Sequence, residues 1–339
     1  MTPKLFNPYR LDETLLEERA AWLKKAAGPG AADRFAAKLA AFTGRRYCLL
    51  TSSGRAAIRA GLTALGAGKG ARVGMTDVTH PSALDETLAA GAKPEFLDID
   101  PANLNLSLAA LKAGAARLDA LIFTPMFSTS APSEAICAIA AAGGFPVLED
   151  ASQTMGVSCG GRPYGSFGDI SVFSLSSYKP VSFPYAKAGA LLCDDLVLFK
   201  KAVKAAAGAG AFEPAAAPLM ELKLSLLAKT LAGLRRNNDI YRRLLAGIKG
   251  LTLPDTGRDA QDFPILTHRK NELEKFMLKL KVPLGRTYEP LHIIAAARGK
   301  FPGSRLYTEQ ALHLPSYPMM TRSECLYAAG AVKGSFKRP

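Results

Sequence analysis

Two charged side chains in this chain of 339 residues occur where a ligand would bind. Asp150 ends the apolar stretch FPVLED, which predicts a short buried strand, and Gln153 follows three residues later. Lys179 lies 29 positions after Asp150, among apolar and hydroxyl residues in FSLSSYKP. In open α/β sheets, ligands bind beyond the carboxyl ends of the strands. The two groups therefore indicate a ligand that needs both a carboxylate and an amine.

A lysine in apolar surroundings favours covalent chemistry on a carbonyl group. Burying an ammonium is costly unless its pKa falls or its nitrogen is covalently engaged. A desolvated lysine is also a good nucleophile for Schiff-base formation. Pyridoxal phosphate needs a lysine for its aldehyde and a carboxylate that keeps its ring nitrogen protonated. We therefore predict pyridoxal 5'-phosphate as cofactor, held by Lys179 and Asp150.

Side chains that follow other predicted strands match the remaining needs of this cofactor. Ser53, Gly54 and Arg55 open a helix, and free N–H groups at a helix start can bind a phosphate. An ordinary Ser/Gly N-cap would have the same sequence. His80 follows the second strand and Ser174 ends the sixth. A lone histidine is more often structural, so the prediction depends on the set rather than on any one residue.

The elements that position these residues are seven apolar stretches that predict strands. The stretches are RYCLLTS, ARVGMT, KPEFLDI, LDALIFTP, FPVLED, DISVFSL and AGALLC. Helical segments follow the first four, which indicates a mostly parallel sheet with helices on both faces. The last two stretches lie close together along the chain, which favours an antiparallel addition to this sheet.

The predicted fold class is α/β with two domains. Residues 1–250 form a three-layer α/β/α large domain with an N-terminal helix and a mostly parallel seven-stranded sheet. Residues 251–339 form a smaller α+β domain, with the strand DFPILTH, the helix RKNELEKFMLKLK, Pro-rich turns and a final helix.

Composition argues against several classes of protein. The chain is 48% hydrophobic and 21% charged, which is ordinary for a soluble globular protein. No window approaches the roughly 18 apolar residues of a membrane span. The first residues carry charges and no long apolar run, so we expect no signal peptide and a cytoplasmic location. The five cysteines are scattered without a CxxC pair, so we predict neither disulfides nor a metal site.

The formal net charge of +14 needs an explanation. Residues 197–250 carry ten Lys or Arg against three acidic residues. A basic stripe can bind nucleic acid, but no zinc finger, helix-turn-helix or interleaved basic-aromatic pattern accompanies it. A solvated helix face or attraction of small phosphorylated substrates explains the charge better, and no nucleic-acid partner is predicted.

The ordered set of motifs resembles the DegT-type sugar aminotransferases, which depend on pyridoxal phosphate and have the aspartate aminotransferase fold. The similarity runs from about residue 30 to 195 and resumes in LRRNNDIY, TYEPLH and FPGSRLYTEQALHLPSYP. The pieces SSGRAAI, GAKPEFLDID, EDASQTMG and SFGDISVFS fall at family spacing. Each piece is weak by itself, whereas the ordered set is a strong signal.

The resemblance implies a role for each candidate residue. Lys179 would form the Schiff base and move a proton between the substrate carbon and the cofactor, and Asp150 would pair with the pyridine nitrogen. Gln153 would contact the ring hydroxyl, and His80 would stack on the ring. The residues that would hold the phosphate are Ser53, Gly54, Arg55 and Ser174. The residues that would contact the substrate are Tyr288, His292 and Tyr317.

Several segments depart from the family pattern. Arg55 stands where the family usually has threonine, so a charge could replace a hydroxyl on the phosphate. MFST replaces a His-Leu-Tyr-Gly-like stretch after the fourth strand, and AKAG, residues 186–189, replaces Gly-Glu-Gly-Gly. Lys187 in that turn is a rival for the Schiff base, but the spacing from FSLSS favours Lys179.

The resemblance also implies a homodimer with its active sites at the subunit interface. The family's Asn-Tyr-Arg segment, which reaches the neighbouring subunit's phosphate, is missing from this sequence. Arg235 or Arg236 could supply that contact instead.

The predicted function is transamination from an amino-acid donor, expected to be glutamate, to a keto nucleotide sugar for polysaccharide or glycoconjugate synthesis. Two alternatives stay open. Some relatives that replace the lysine by histidine dehydrate nucleotide sugars, although Lys179 argues for transfer. A catalytically silent paralogue that binds a ligand or a partner would also fit the altered turns.

Overall fold

The computed structural model describes residues 10–127, 131–176, 179–183, 186–285, 287–317 and 319–337. The last two residues of the MFST stretch, Ser128 and Thr129, and the start of the chain before Arg10 lie outside these residues. The helices are α1 (Arg10–Ala26), α2 (Ala31–Thr43), α3 (Gly54–Ala64), α4 (Ser82–Ala89), α5 (Leu108–Gly114), α6 (Ser133–Gly143), α7 (Leu196–Ala206), α8 (Ala217–Ser225), α9 (Leu227–Leu245), α10 (Lys270–Lys279), α11 (Leu291–Ile294), α12 (Pro302–Gln310) and α13 (Arg322–Phe336).

The strands match the seven predicted stretches and the predicted strand DFPILTH, and the structure adds a last strand, ALHLP, and four two-residue strands. They are β1 (Tyr47–Thr51), β2 (Arg72–Thr76), β3 (Lys93–Leu97), β4 (Ile99–Asp100), β5 (Asn105–Leu106), β6 (Ala120–Phe123), β7 (Val147–Asp150), β8 (Ser158–Cys159), β9 (Arg162–Pro163), β10 (Ile170–Ser174), β11 (Gly189–Cys193), β12 (Asp262–Leu266) and β13 (Ala311–Pro315).

A seven-stranded sheet forms the centre of the large unit. Its strand order is β1-β11-β10-β7-β6-β2-β3. β11 pairs antiparallel with both β1 and β10, and the pairs from β10 to β3 are parallel. The predicted antiparallel addition is therefore confirmed, and it lies inside the sheet rather than at its edge. Because the remaining strands are parallel, their carboxyl ends meet along one edge.

Helices cover both faces of this sheet, which confirms the predicted three-layer architecture. Val147 belongs to one core with α2, α8 and the first half of α9, and its neighbour Leu148 belongs to the other core with α3. This alternation is what a strand buried on both faces requires. Each core buries its apolar side chains away from water, which is the main force that holds the layers together.

Local signals in the sequence set the helix boundaries. α3 begins after Ser53, whose Oγ accepts a hydrogen bond from the Ala56 N–H at 3.1 Å. α13 begins with a capping box, in which Thr321 and Glu324 each bond to the other's backbone N–H. Such caps satisfy N–H groups that have no partner within the helix.

The C-terminal region has its own core around the antiparallel pair β12–β13, with α10 and α13 packed against it. The sequence predicted β12 but not β13, because Pro315 at the end of ALHLP and Pro318 beyond it indicate turns. Ile240, Tyr241 and Leu245, in the second half of α9, belong to this core as well. The domain boundary near residue 250 stays a prediction, since α9 contributes to both cores. No helix in the described part of the chain is both long and apolar enough to cross a membrane.

Candidate active site

β7 ends with two acidic residues that point in opposite directions, as successive residues of a strand do. Glu149 accepts hydrogen bonds from the backbone N–H groups of Gly165 and Phe167 and from Ser171 Oγ, each at 2.8 Å. Asp150 is also buried, but among the described residues it accepts only the Ser152 N–H, at 3.2 Å. Glu149 therefore fixes the loop before β10, whereas Asp150 keeps acceptor positions for a ligand.

The predicted phosphate residues meet where β1 and β10 end. Ser152 Oγ accepts a hydrogen bond from the Ser174 N–H at 2.9 Å, which ties the end of β10 to the loop after β7. A Cβ atom placed on Gly54 would lie 3.0 Å from Ser174 Cβ. The N-terminus of α3 and the Ser174 side chain are thus neighbours, and together they could bind a phosphate group.

Gly189 makes this close approach possible, although its position in the sequence did not predict a site residue. A Cβ atom on Gly189 would lie 2.5 Å from the carbonyl carbon and oxygen of Ser53 and 2.6 Å from Gly54 N. Such contacts are with backbone and cannot relax easily, so only glycine fits. The signal was present, since this glycine closes the altered AKAG turn.

Lys179 and Asp150 act on each other electrostatically. Burial lowers the pKa of Lys179, and the negative charges of Asp150 and Asp262 oppose that shift. No carboxylate of the described residues lies within 4.0 Å of Lys179 Nζ. The charge of Asp150 therefore acts on Lys179, but the two side chains do not form a close ion pair. The rival Lys187 is exposed.

A buried lysine, Lys223, supports the turn that carries Lys179. Lys223 is only 2% exposed, and its Nζ donates to the Ser182 carbonyl oxygen at 3.1 Å and to Ser182 Oγ at 2.8 Å. Ser182 Oγ in turn donates to the Lys179 carbonyl oxygen at 2.8 Å. Sequence reasoning missed this role, although a lysine within the apolar helical stretch PLMELKLS was the available signal.

Replacing Lys223 with methionine should loosen this turn. We expect a loss of about 1–3 kcal/mol in the free energy of unfolding, because the buried Ser182 groups lose a charged donor. We also expect slower covalent loading of pyridoxal phosphate on Lys179, measured by borohydride trapping and mass spectrometry. The control is Lys229→Met, which changes an exposed lysine of α9. Equal loading rates in both variants would contradict a positioning role.

Gln153, Tyr288 and His80 lie together beside the loop after β7. Gln153 Nε2 donates to Tyr288 Oη at 3.1 Å. The His80 ring contacts Tyr288 edge-on, with 6.2 Å between ring centroids, and its Nδ1 accepts from the Ser82 N–H at 3.1 Å. The predicted ring-contacting residues are thus grouped with one predicted substrate residue.

The other two predicted substrate residues have different surroundings. His292 is paired with Asp77, with 2.6 Å between His292 Nδ1 and Asp77 Oδ2, and its ring stacks on Phe301. Asp77 is fully buried just beyond β2 and was not predicted. Tyr317 packs against the core of the C-terminal region. Their roles in substrate binding stay predictions.

The predicted arginines are already engaged by protein groups. Arg55 Nε lies 2.8 Å from Glu86 Oε1, and its Nη1 lies 2.8 Å from Asp85 Oδ2. Its guanidinium thus faces the carboxylates of α4. Arg235 pairs with Asp259, and Arg236 donates to the Met320 carbonyl oxygen. Those two line an open groove of about 790 Å³. The groove's other arginines are Arg243, Arg258 and Arg322.

The residues present fit pyridoxal phosphate. Asp150 has free acceptor capacity for a ring N–H, Lys179 Nζ is free of close ion pairs, and a helix N-terminus next to Ser174 can take a phosphate. Among the described residues, no group of three or more His, Cys, Asp or Glu side chains is placed to hold a metal ion.

Comparison with known proteins agrees with this class of site. The model of the DegT/DnrJ/EryC1/StrS aminotransferase family matches residues 14–210, more than half of the chain. The chain belongs to this family. The predicted family, fold and dependence on pyridoxal phosphate are thereby confirmed at the level of the family.

Individual relatives share between about a fifth and a third of their aligned residues with this chain. The chain is 33% identical to a UDP-2-acetamido-2-deoxy-3-oxo-D-glucuronate aminotransferase of Pseudomonas aeruginosa over 159 aligned residues. This alignment covers 47% of this chain and 44% of that protein. It is 26% identical to a pleiotropic regulatory protein of Geobacillus stearothermophilus, over 86% of this chain and 85% of that one. The structure of S. venezuelae DesV in complex with a ketimine intermediate superposes with a TM-score of 0.92 at 22% identity, covering 100% of both chains.

Proposed function

We propose that the protein transfers an amino group from an amino acid, glutamate in the first instance, to a keto sugar carried by a nucleotide. The observation that carries this proposal is that the charge of Asp150 acts on Lys179 although no ion pair within 4.0 Å joins the two side chains. Membership of an aminotransferase family supports the reaction class. The relative that acts on a UDP-linked oxo sugar supports the substrate class.

The roles of the residues follow from their positions. When bound, pyridoxal phosphate supplies the electron sink that makes the substrate carbon acidic. Asp150 keeps the ring nitrogen protonated by offering its buried carboxylate. Lys179 would hold the aldehyde of the cofactor through Nζ, and the same nitrogen would carry the proton of the substrate carbon. Ser53, Gly54 and Ser174 bind the phosphate.

The remaining side chains orient the ring and the substrate. Gln153 reaches the ring hydroxyl, and His80 covers the ring face. Tyr288 adjoins both of them, so it is the substrate-contacting residue with the strongest support. His292, held by Asp77, and Tyr317 are proposed as further contacts.

Purified protein reconstituted with pyridoxal phosphate tests the proposal. We expect a near-visible absorbance band that disappears on borohydride reduction, with the label mapped to Lys179 and none on Lys187. The loaded protein is then given glutamate, followed by 3-keto or 4-keto nucleotide sugars. An amino sugar supports transfer, a deoxy sugar without nitrogen supports the dehydratase alternative, and failure to bind the cofactor refutes both.

A non-catalytic role is the second candidate, favoured by the similarity to a pleiotropic regulatory protein along most of both chains. In that case the chain would bind a ligand or a partner without turnover. A colourless protein that cannot be reconstituted would support this candidate.

We further propose that the protein is a cytoplasmic homodimer with both sites at the interface. The resemblance supports this assembly, and Arg235 or Arg236 would approach the partner's phosphate. Their present engagement with Asp259 and Met320 means that these contacts would have to rearrange. Light scattering gives the mass, and a charge-reversal variant, Arg236→Glu, should weaken phosphate binding only if the groove faces the partner's site.

A further inference from the structure

We propose that Asp77 is a positioning residue of the cofactor site. It holds the His292 ring with its hydrogen on Nδ1, and the ring thereby presents Nε2 as a hydrogen-bond acceptor to a hydroxyl group of the sugar substrate. Asp77 acts only through His292 and is not itself a substrate contact. The step from the acceptor to the sugar rests on the proposed function, whereas the state of the ring does not.

The strand register places Asp77 in one row with Asp150 at the carboxyl edge of the sheet. Asp77, Thr124 and Asp150 each lie two residues beyond a member of a paired row across β2, β6 and β7. Because side chains alternate along a strand, all three follow the same face of the sheet as that row. β6 lies between β2 and β7, so the backbones of the two aspartates are about 10 Å apart. The members of the paired row are Met75, Ile122 and Leu148, which belong to one core.

Three hydrogen bonds fasten the start of α11 to Asp77. The Asp77 carbonyl oxygen accepts the Leu291 N–H at 2.7 Å, and Oδ1 accepts the His292 N–H at 2.8 Å. Oδ2 lies 2.6 Å from His292 Nδ1. The Asp77 side chain has no exposed surface, and burying a carboxylate is costly unless donors surround it. Both donors that the described residues offer to this carboxylate come from His292.

The chemistry of these groups fixes which ring nitrogen of His292 carries the hydrogen. A carboxylate only accepts hydrogen bonds, so the nitrogen that faces Oδ2 must be Nδ1–H. In the neutral ring the other nitrogen, Nε2, is then an acceptor. Nε2 has no hydrogen-bond partner within the described part of the chain, and it keeps accessible surface on a side chain that is 18% exposed. A ligand can therefore reach this acceptor.

Neighbouring residues place this acceptor beside the predicted ring and substrate residues. Tyr288 lies four residues before His292, and its Oη accepts a hydrogen bond from Gln153 Nε2 at 3.1 Å. His80 lies three residues after Asp77, and its ring contacts Tyr288 edge-on. An acceptor nitrogen at this place requires a donor on the ligand. Sugar hydroxyls can donate, whereas the oxygens of a diphosphate accept, so a sugar hydroxyl matches Nε2.

A purely structural aspartate at a strand end is available for comparison. Asp98 follows β3, and its carboxylate accepts the N–H groups of Gly303 and Ser304 at the start of α12. Its remaining described donor is a serine hydroxyl, Ser304 Oγ, and not an imidazole. Asp98→Asn is therefore the matched control for Asp77→Asn, because each substitution removes a charge from an aspartate that anchors a C-terminal helix to a strand end.

Nitrogen NMR of the four histidines in cofactor-free protein tests the state of the ring. His292→Gln assigns the His292 signals, and spectra are recorded at a pH at which a titration shows the ring to be neutral. The natural protein and Asp98→Asn should carry the hydrogen on Nδ1. In Asp77→Asn the amide oxygen stays with the His292 N–H, which always donates, so the NH₂ group faces Nδ1 and the hydrogen should move to Nε2.

Two results of this experiment would overturn the proposal. One is a hydrogen on Nε2 in the natural protein, which needs no variant and so decides the question even if Asp77→Asn does not fold. The other is an unchanged ring in folded Asp77→Asn.

Turnover of the loaded enzyme tests the step to the sugar. Asp77→Asn turns the acceptor into a donor, so KM for the keto nucleotide sugar should rise by a factor on the order of 10 or more, while kcat changes less. Asp98→Asn should keep the natural KM. Equal KM values in the two variants would overturn the contact with the sugar. Failure of the natural protein to load pyridoxal phosphate would refute the proposed function, and the NMR result would still decide whether Asp77 sets the His292 ring.

Discussion

Replacing Lys179 with alanine should abolish covalent attachment of pyridoxal phosphate and reduce transamination by a factor on the order of 10³–10⁴ or more. The side chain has two tasks that no neighbour can perform. In the proposed reaction its Nζ would hold the aldehyde of the cofactor, and the same nitrogen would move the proton of the substrate carbon. Because the amine is partly buried and its pKa is lowered by burial, it can be neutral and nucleophilic at a pH where an exposed lysine is charged.

The control for this prediction is Lys187→Ala, which removes the exposed lysine of the neighbouring turn. Borohydride trapping followed by peptide mapping should find the cofactor on Lys179 in the control and on no lysine in Lys179→Ala. Turnover at the natural rate by Lys179→Ala, or a label on Lys187 in the natural protein, would transfer the role to Lys187.

The sheet could be predicted because its signals are local. Each of the seven strands is a short apolar run bounded by turn residues, and burial on both faces makes such runs nearly continuous. In FPVLED, for example, all four residues of β7 are buried. β13 was not predicted because the strand ends at Pro315 and Pro318 follows three residues later. These two prolines indicate turns more strongly than ALHLP indicates a strand.

Tertiary pairings explain what the sequence could not predict. Arg55 was expected on the phosphate, but which carboxylates face it depends on the packing of α4 against α3. Glu86 has no exposed surface in its side chain and binds both Arg55 and Arg59. Lys223 is 44 positions from Lys179 in the chain, and no spacing rule connects the two residues. Its role emerges only when α8 packs against the loop after β10, where Lys223 donates to Ser182.

The second large prediction concerns Asp150, and the adjacent Glu149 of β7 provides its control. Glu149 and Asp150 are adjacent and both buried, yet they face opposite sides of the sheet. Glu149→Gln should cost about 1–3 kcal/mol of folding stability, since an amide would replace a carboxylate that accepts two backbone N–H groups. It should leave the half-reaction with glutamate nearly unchanged in protein that remains folded.

Asp150→Ala should leave the fold intact but abolish the half-reaction with glutamate, which is the opposite of the effect expected for Glu149→Gln. A charge-assisted hydrogen bond to the ring nitrogen contributes about 1.5–3 kcal/mol, which by itself would reduce the rate by a factor of about 10–100. The expected loss is larger, because an unprotonated ring is a poor electron sink and the substrate carbon then keeps its proton. Single-turnover absorbance changes measure the rate, and cofactor titration measures binding separately. If weaker cofactor binding fully explains the lower rate of Asp150→Ala, Asp150 binds the ring but has no electronic role. If the variant turns over at the natural rate, Asp150 does not belong to the site.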